Sequence, residues 1–404
     1  MTGLNNRRVL LAVSGGIAAY KSADLASKLV QAGVRLDVLL TNGAEQFLRP
    51  LTFEALTRRS VHTSLWEPWT AEAAGHVTLA AEIEALVVAP ATANVIARLA
   101  LGLSDDLLGV VNLSTVAPLV IAPAMEHHMF HHPATQGHLA TLRHRGAVIV
   151  GPETGRLASG ASGDGRLASP DAIVDALRHV LVNQVPDGPV RRHIVVTAGG
   201  TQEPIDPVRS ITNRSSGRMG YAIARAALDQ GADVTLITAP SELTPPVGAM
   251  VIRVTTAAEM LTAVEQAVHD ADVLIMAAAV ADFRPVAAAA AKIKKGSLPA
   301  TTTIDLEPTV DILTTVNRPG LIKVGFAAET ERLVENATAK LRAKNLDLIV
   351  ANEAVRTIGS DSSTAMLITR DGQPEELGEM LKTALATHII GRIWELLGAA
   401  NGVR

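Results

Sequence analysis

The stretch that most constrains this chain runs from His193 to Thr238. It reads as a buried strand at Ile194 to Thr197, a glycine turn at Gly199-Gly200, a long polar loop and a helix, and a second apolar strand follows at Val234 to Thr238. Strand, helix and parallel strand form the unit from which nucleotide-binding sheets are built, with ligand gathering at the carboxyl ends of the strands. The loop carries Arg209, Asn213, Arg214 and Arg218 just ahead of the helix. Cationic side chains beside a helix amino terminus make an anion site, of the kind that phosphates occupy. A solvated loop is the plainer reading, but this crowding beside glycine and helix signals favours the anion.

The same scheme opens the chain. Val9 to Val13 predicts a strand, residues 14 to 17 a tight turn, and Ala18 to Ala32 a helix stopped by Gly33. Further strands are expected at Leu36 to Leu40, Ala85 to Val88, Leu119 to Ile121 and Ala147 to Val150. Several run into small or polar residues, such as AlaProAlaThrAlaAsn at 89 to 94, that can face one ligand crevice. Glycine-dense residues 151 to 167 read as a mobile flap without regular structure. A short helix at Pro170 to Leu181 precedes a Pro/Gly linker at 183 to 190, where a domain boundary is expected. Beyond the organising stretch, residues 272 to 282 are expected to form a buried strand running into a small-residue turn, and further strands are expected at Thr301 to Leu306, Leu321 to Phe326 and Leu348 to Val350, with Met366 to Thr369 as an edge strand. Helices are expected at Arg332 to Lys344 and Lys382 to Leu397.

Composition supports this class. The chain has 404 residues, 48% of them hydrophobic but only 2% aromatic, which suits buried parallel strands under Ala-rich helices. Its 36 basic and 40 acidic residues give a net charge of -4, so no global field recruits nucleic acid or an acidic membrane. The absence of cysteine excludes disulfides, thiolate metal sites and a cysteine nucleophile. Two arginines before the first apolar run mimic a secretory signal, but Gly15, Gly16 and Lys21 interrupt it. A cytoplasmic protein is the expectation.

Single residues carry less. Ser14, Gly15 and Gly16 at a strand-to-helix junction offer backbone N–H groups to a phosphate. Alone they are a turn; with Thr41 at the next strand end and residues 89 to 94 they favour a flavin or nucleotide phosphate. His76 follows a glycine, and a lone histidine is more often structural than catalytic. His127, His128, His131 and His132 contain i, i+4 pairs suited to a metal, but no carboxylate framework is evident and Pro133 would end a helix there. The metal is therefore the weaker reading. Lys292, Lys294, Lys295, Lys340 and Lys344 are an exposed face unless they converge on one crevice, where they would hold a triphosphate.

Longer motifs identify a family. SGGIAAYK (14 to 21), GHVTLA (75 to 80), APATAN (89 to 94), SDDLL (104 to 108) and PAM (123 to 125) resemble the flavin-dependent cysteine decarboxylases. TAGGTQEPIDPVRSITNRSSGRMG (197 to 220), AAAVADF (277 to 283), KIKK (292 to 295) and GFAAET (325 to 330) are similar to phosphopantothenate-cysteine ligases. In this order, across nearly the whole chain, they resemble the bifunctional phosphopantothenoylcysteine decarboxylase/phosphopantothenate-cysteine ligases of coenzyme A biosynthesis. The resemblance implies an α/β chain of two Rossmann-like three-layer domains: a flavodoxin-like flavoprotein domain at 1–185 and a ligase domain with a mainly parallel sheet at 186–404.

It further implies that CTP and Mg2+ activate 4'-phosphopantothenate as an acyl-cytidylate, which cysteine then captures. Asn213 would stabilise that intermediate and Arg209 would act in its conversion. CTP contacts would fall at Ala277, Ala278, Asp282, Lys292, Thr309, Val310, Asp311, Ile312, Phe326, Lys340 and Lys344. In the other half, FMN would sit on Ser14, Gly15, Gly16, Thr41, Pro90, Thr92, Asn94 and Met125. It would oxidise the cysteinyl thiol so that CO2 leaves, with His76 as the active-site histidine. The partners implied are these small molecules and further copies of the chain in a dodecamer, with neither nucleic acid nor membrane.

Two positions depart from the family pattern. Glu126 stands where the usual asparagine holds the substrate carboxylate, and would repel it unless protonated or turned away. Ser159 replaces the flap cysteine that donates a proton, and a hydroxyl is a far weaker acid than a thiol. Three outcomes follow: decarboxylation with another donor such as a nearby histidine, arrest at the oxidised enethiol, or a flavin domain kept for structure or regulation. The first is favoured, because the remaining motifs are present. A NAD-dependent dehydrogenase is disfavoured, because neither half supplies GxGxxG with a following acid.

Overall fold

The computed structural model describes residues 4–66, 75–182, 191–294, 303–329, 332–353, 360–370 and 374–401. The chain divides into two compact units, Met1–Pro186 and Asp187–Arg404. The expected linker at 183–190 lies outside the described residues.

The first unit holds a six-stranded sheet: β1 (Arg8–Val13), β2 (Arg35–Leu40), β3 (Val61–His62), β4 (Ala85–Ala91), β5 (Leu119–Pro123) and β6 (Val148–Ile149). Its order is β3-β2-β1-β4-β5-β6 and every pairing is parallel, with Val9 opposite both Leu36 and Ala85. This is the doubly wound order, which reverses between β1 and β4 and opens a crevice there. All seven residues of β4 are buried, as a central strand covered on both faces requires. Fully burying one such leucine or valine stabilises the fold by about 1.5–3 kcal/mol.

Residues 151–167 correct the flap expectation. They form an antiparallel hairpin of β7 (Glu153–Arg156) and β8 (Ser162–Arg166). The glycines serve close approach here. A Cβ on Gly165 would lie 2.1 Å from the Met125 carbonyl oxygen, and one on Gly163 would lie 2.7 Å from His127 Nδ1. Sequence cannot distinguish a glycine used for mobility from one used for contact.

The second unit repeats the plan. Its strands are β9 (His193–Ala198), β10 (Gln202–Pro204), β11 (Ser210–Thr212), β12 (Asp233–Thr238), β13 (Met250–Arg253), β14 (Val273–Met276), β15 (Phe283–Pro285), β16 (Leu306–Pro308), β17 (Ile322–Glu329), β18 (Leu348–Glu353), β19 (Ser362–Thr369) and β20 (Glu375–Leu381). The main sheet runs β13-β12-β9-β14-β17-β18-β19-β20. Its parallel strands follow the same doubly wound order, and β19 and β20 add antiparallel strands.

Alternation along β9 sorts its core. Ile194 and Val196 pack with the helices Arg218–Asp229 and Lys382–Asn401, whereas Val195 packs with Ala257–Ala267 and Leu333–Ala343. Three expectations are corrected. The strand at Met366 to Thr369 is interior, because β20 pairs beyond it. The strand expected at Thr301 to Leu306 is instead β16, a short partner of β15; residues 301 and 302 lie outside the described set. The polar loop after Gly200 contains the β10–β11 hairpin.

Candidate active sites

In the first unit the predicted flavin residues stand at the carboxyl ends of four adjacent strands. Ser14, Gly15 and Gly16 follow β1, Thr41 follows β2, Thr92 and Asn94 follow β4, Pro90 is within β4, and Met125 follows β5. Ser14 is fully buried and joins the two sides of the crevice. Its Oγ donates to the Pro90 carbonyl at 2.7 Å and accepts the Thr92 amide at 3.1 Å. Thr92 in turn caps the helix Ala93–Leu101. Gly15 packs against the backbone of Gly43, where a Cβ would come within 2.4 Å. The turn at Gly16 enters its helix without a side-chain cap. These glycines and hydroxyls leave room for a bulky phosphorylated ligand to approach backbone, as a flavin phosphate requires.

His76 is half-buried in the first turn of the helix Gly75–Glu82. Glu126 resolves the choice between protonation and turning away. It caps the short helix His127–His131, accepting the His128 amide at 2.7 Å and the Met129 amide at 3.4 Å, and its other oxygen meets the His128 ring at 3.0 Å. Burial pushes its pKa up, but the hydrogen bonds from His128 and Met129 outweigh burial and hold the carboxyl below its ordinary range. Glu126 is thus an ionised cap turned onto its own helix. Ser159 is exposed at the tip of the β7–β8 hairpin.

The second unit encloses a cavity of about 600 Å³ at the switch between β9 and β14. It is lined by Asn213, Ala277, Ala278, Asp282, Thr309, Val310, Asp311, Ile312, Phe326, Lys340 and Lys344, among others. Hydroxyls tie its floor together. Thr197 Oγ1 accepts the Ala278 amide at 3.1 Å, Thr201 Oγ1 accepts the Ala281 amide at 2.9 Å, and Thr309 Oγ1 donates to the Ala281 carbonyl at 2.5 Å. Asn213 Nδ2 donates to the Val280 carbonyl at 2.9 Å, which orients the amide on the cavity wall.

Cations line the opposite wall. Lys340 Nζ donates to the Phe326 carbonyl at 2.8 Å, and Lys344 Nζ pairs with Asp311 Oδ2 at 2.8 Å. Burial raises the Asp311 pKa, yet the Lys344 hydrogen bond and charge overcome it, so Asp311 stays ionised. Sequence reasoning missed Lys382, which joins Arg218 on this cavity from the start of the closing helix. No sequence signal links positions so far apart.

It also missed Lys323, buried in β17. Its ammonium donates to the Leu313, Val316 and Lys344 carbonyls at 3.1, 3.3 and 3.0 Å, and burial lowers its pKa. It thereby fastens the ends of the two helices that bear Asp311 and Lys344.

Arg209 and Lys292 stand outside the residues lining this cavity. Arg209 is bound to Asp206, with its Nε 3.0 Å from Oδ2, and also donates to the Ile293 carbonyl at 3.0 Å. Its guanidinium holds Asp206 well below the usual carboxylate range. Arg209 therefore anchors the segment that carries Lys292, which is exposed. Lys295 lies outside the described residues.

Fold and sites together define a two-unit α/β chain with a glycine-hydroxyl crevice in one sheet and a cationic cavity in the other. A family model described as "Flavoprotein" matches residues 2–182, and one described as "DNA/pantothenate metabolism flavoprotein C-terminal domain" matches residues 190–397. The coenzyme A biosynthesis bifunctional protein CoaBC of Bacillus subtilis is 43% identical, over 96% of this chain and 97% of its own. Its counterpart in Vibrio cholerae is 41% identical over 98% and 100%, and that of Mycobacterium tuberculosis 42% identical over 98% and 98%. The chain belongs to this family of bifunctional coenzyme A biosynthesis proteins, and is a flavoprotein enzyme joining a decarboxylase to a ligase.

Proposed function

We propose that the unit beyond about residue 186 ligates 4'-phosphopantothenate to cysteine at the expense of CTP, and that residues 1–185 then decarboxylate the product to 4'-phosphopantetheine with FMN. The observation that carries the ligase reading is the cavity at the β9–β14 switch, where Asn213 and every expected CTP contact except Lys292 line one space. Lys340 and Lys344 hold the triphosphate there, Lys344 exchanging Asp311 for a phosphate. The substrate carboxylate attacks the α-phosphorus, pyrophosphate leaves, and the amine of cysteine displaces CMP from the acyl-cytidylate. Asn213 hydrogen-bonds the acyl-cytidylate, and Arg209 steadies the loop bearing Lys292 over it. Mg2+ suits the hard oxygens present: Asp282 and the triphosphate would hold it and offset phosphate charge.

In the decarboxylase unit, FMN would rest on the Ser14–Gly16 turn, Thr41, Pro90, Thr92, Asn94 and Met125. When bound, it would supply the two-electron oxidation of the cysteinyl thiol to a thioaldehyde, so that CO2 leaves and the electron pair of the broken carbon–carbon bond is delocalised onto sulfur. Glu126, committed to its helix cap, leaves the substrate carboxylate unopposed by a facing charge. Ser159 is too weak an acid to complete the reductive step, so a donor other than Ser159 delivers that proton, and His76 is the active-site histidine. Family likeness further supports a cytoplasmic homo-oligomer, a dodecamer. Among the described residues no helix is long and apolar enough to cross a membrane.

The test of the ligase is steady-state pyrophosphate release. It is expected to require CTP, 4'-phosphopantothenate and cysteine together, and absence of release with any nucleotide would reject the reading. The flavin unit is tested by its visible spectrum after FMN loading. Protein that stays colourless would reject decarboxylation there.

A further inference from the structure

The histidine cluster acquires in three dimensions the carboxylate it lacks in sequence. His127 and His131 lie one turn apart on the short helix, and Asp164 reaches them from β8 of the glycine-rich hairpin. Ligand atoms of the three residues lie within 4.8 Å of one another, and the two imidazole rings are 4.5 Å apart between centroids. His131 Nε2 faces Asp164 Oδ2 at 3.0 Å. His127 already presents a lone pair toward the hairpin, because its Nδ1 accepts the Asp164 amide at 3.1 Å.

We propose that His127, His131 and Asp164 form a binding site for a divalent transition cation of the zinc class, which fastens the β7–β8 hairpin to the His127–His131 helix. Two imidazoles and one carboxylate are the donors such ions choose over magnesium or calcium. Metal–ligand distances of about 2.0–2.2 Å place tetrahedral donors roughly 3.3–3.6 Å apart. The His131–Asp164 contact therefore needs to open by only a few tenths of an ångström. The ion takes the place of the proton shared by that pair, and takes the His127 lone pair from the Asp164 amide.

A supporting partner for the carboxylate is present. Thr154, on the opposite strand of the hairpin, donates its Oγ1 to Asp164 Oδ1 at 2.5 Å and so aims Oδ2 at the site. Side-chain exposures of 50% for His131 and 37% for Asp164 let an ion enter from solvent without unfolding. His128 and His132 serve other purposes: His128 meets Glu126, and His132 Nδ1 accepts the Ala134 amide to cap the next helix. The hairpin carries Ser159 and the helix follows Met125 and Glu126, so the ion fixes the flap against the decarboxylase crevice.

The test is calorimetric titration of tag-free, chelator-treated full-length protein with Zn2+. One equivalent is expected to bind, saturable binding is expected to disappear in H131A and D164A, and H128A is expected to retain it. T154V is expected to bind about 10-fold more weakly, as loss of a carboxylate's supporting hydrogen bond does at metal sites. The visible flavin band reports the fold of each variant; should D164A lose it, D164N keeps the shape while removing the charge. Zn2+ is also expected to slow tryptic cleavage after Arg156 by 10-fold or more in the wild type and not in H131A. Wild-type protein that takes up no more Zn2+ than D164A, or binding lost in H128A but kept in H131A, would overturn the site.

Discussion

The two units share a strand order and differ in charge. In each, a hydroxyl at the end of the first strand hydrogen-bonds backbone beyond the fourth: Ser14 holds Thr92 in one, and Thr197 holds Ala278 in the other. In each, the adjoining helical turn starts at a glycine, Gly16 or Gly217, without a side-chain cap. The ligand crevice thus falls at the same place for the same topological reason. What fills its walls is different. The crevice of the first unit is built from glycine, hydroxyl and small apolar residues, while Lys340, Lys344, Arg218 and Lys382 line the cavity of the second. Topology selects where a phosphorylated ligand binds, and the local cations select how much phosphate charge it carries.

Single substitutions should therefore separate the halves. The largest expected effect is Asn213→Ala. It is expected to lower ligase turnover by about 100-fold or more, as loss of a positioned donor at a charged intermediate does, while supplied phosphopantothenoylcysteine is still decarboxylated. Equal loss of both activities would break the comparison. Next, Lys344→Met is expected to raise KM for CTP by about 10-fold or more without bleaching the flavin, read by pyrophosphate release against nucleotide concentration. Ser14→Ala is expected to weaken FMN retention by roughly 10-fold, because the Pro90 and Thr92 hydrogen bonds together position the turn, and to leave ligation unchanged. Flavin titration of the stripped protein reads this directly.

A smaller effect is expected at Lys323→Met. Releasing two helix ends should raise KM for CTP a few-fold while kcat and the KM for 4'-phosphopantothenate hold, and Lys323→Arg should not restore the three carbonyl contacts. The smallest effect concerns acid. Glu126 has a folded pKa below its unfolded value, so its contribution is present above the ordinary glutamate range near ~4.3 and is lost as pH falls through the folded value. The Tm gap between wild type and E126Q should stand at neutral pH and close in acid. A gap that widened in acid would contradict an ionised cap.

Much of this was legible in the sequence, for identifiable reasons. Central strands such as Val9–Val13 and Ile194–Thr197 are continuous apolar runs, and only two-sided burial explains them. Asn213 stands out in sequence because it sits in a long motif beside glycine and helix signals, Lys344 because it is one helical turn from Lys340, and Asp311 only through the family resemblance. What remained hidden depends on distance along the chain or on the purpose of a residue type. Lys382 reaches the cavity from a separate, later segment of the chain, and Asp164 meets His131 across a hairpin that glycine density made look unstructured. Short strands such as β3 and β15 carry too few residues to show a period. Lys323 reads as a solvent residue until both helices it fastens are in place.

The central claim is that two sheets of one plan carry two different chemistries in sequence. Mass spectrometry of products from CTP, 4'-phosphopantothenate and cysteine, with Mg2+ and FMN-loaded protein, tests it most directly. The expected result is CMP, pyrophosphate and 4'-phosphopantetheine from the wild type, with phosphopantothenoylcysteine still converted by N213A when supplied. Failure of the wild type to form CMP, or failure of N213A to decarboxylate supplied substrate, would contradict it.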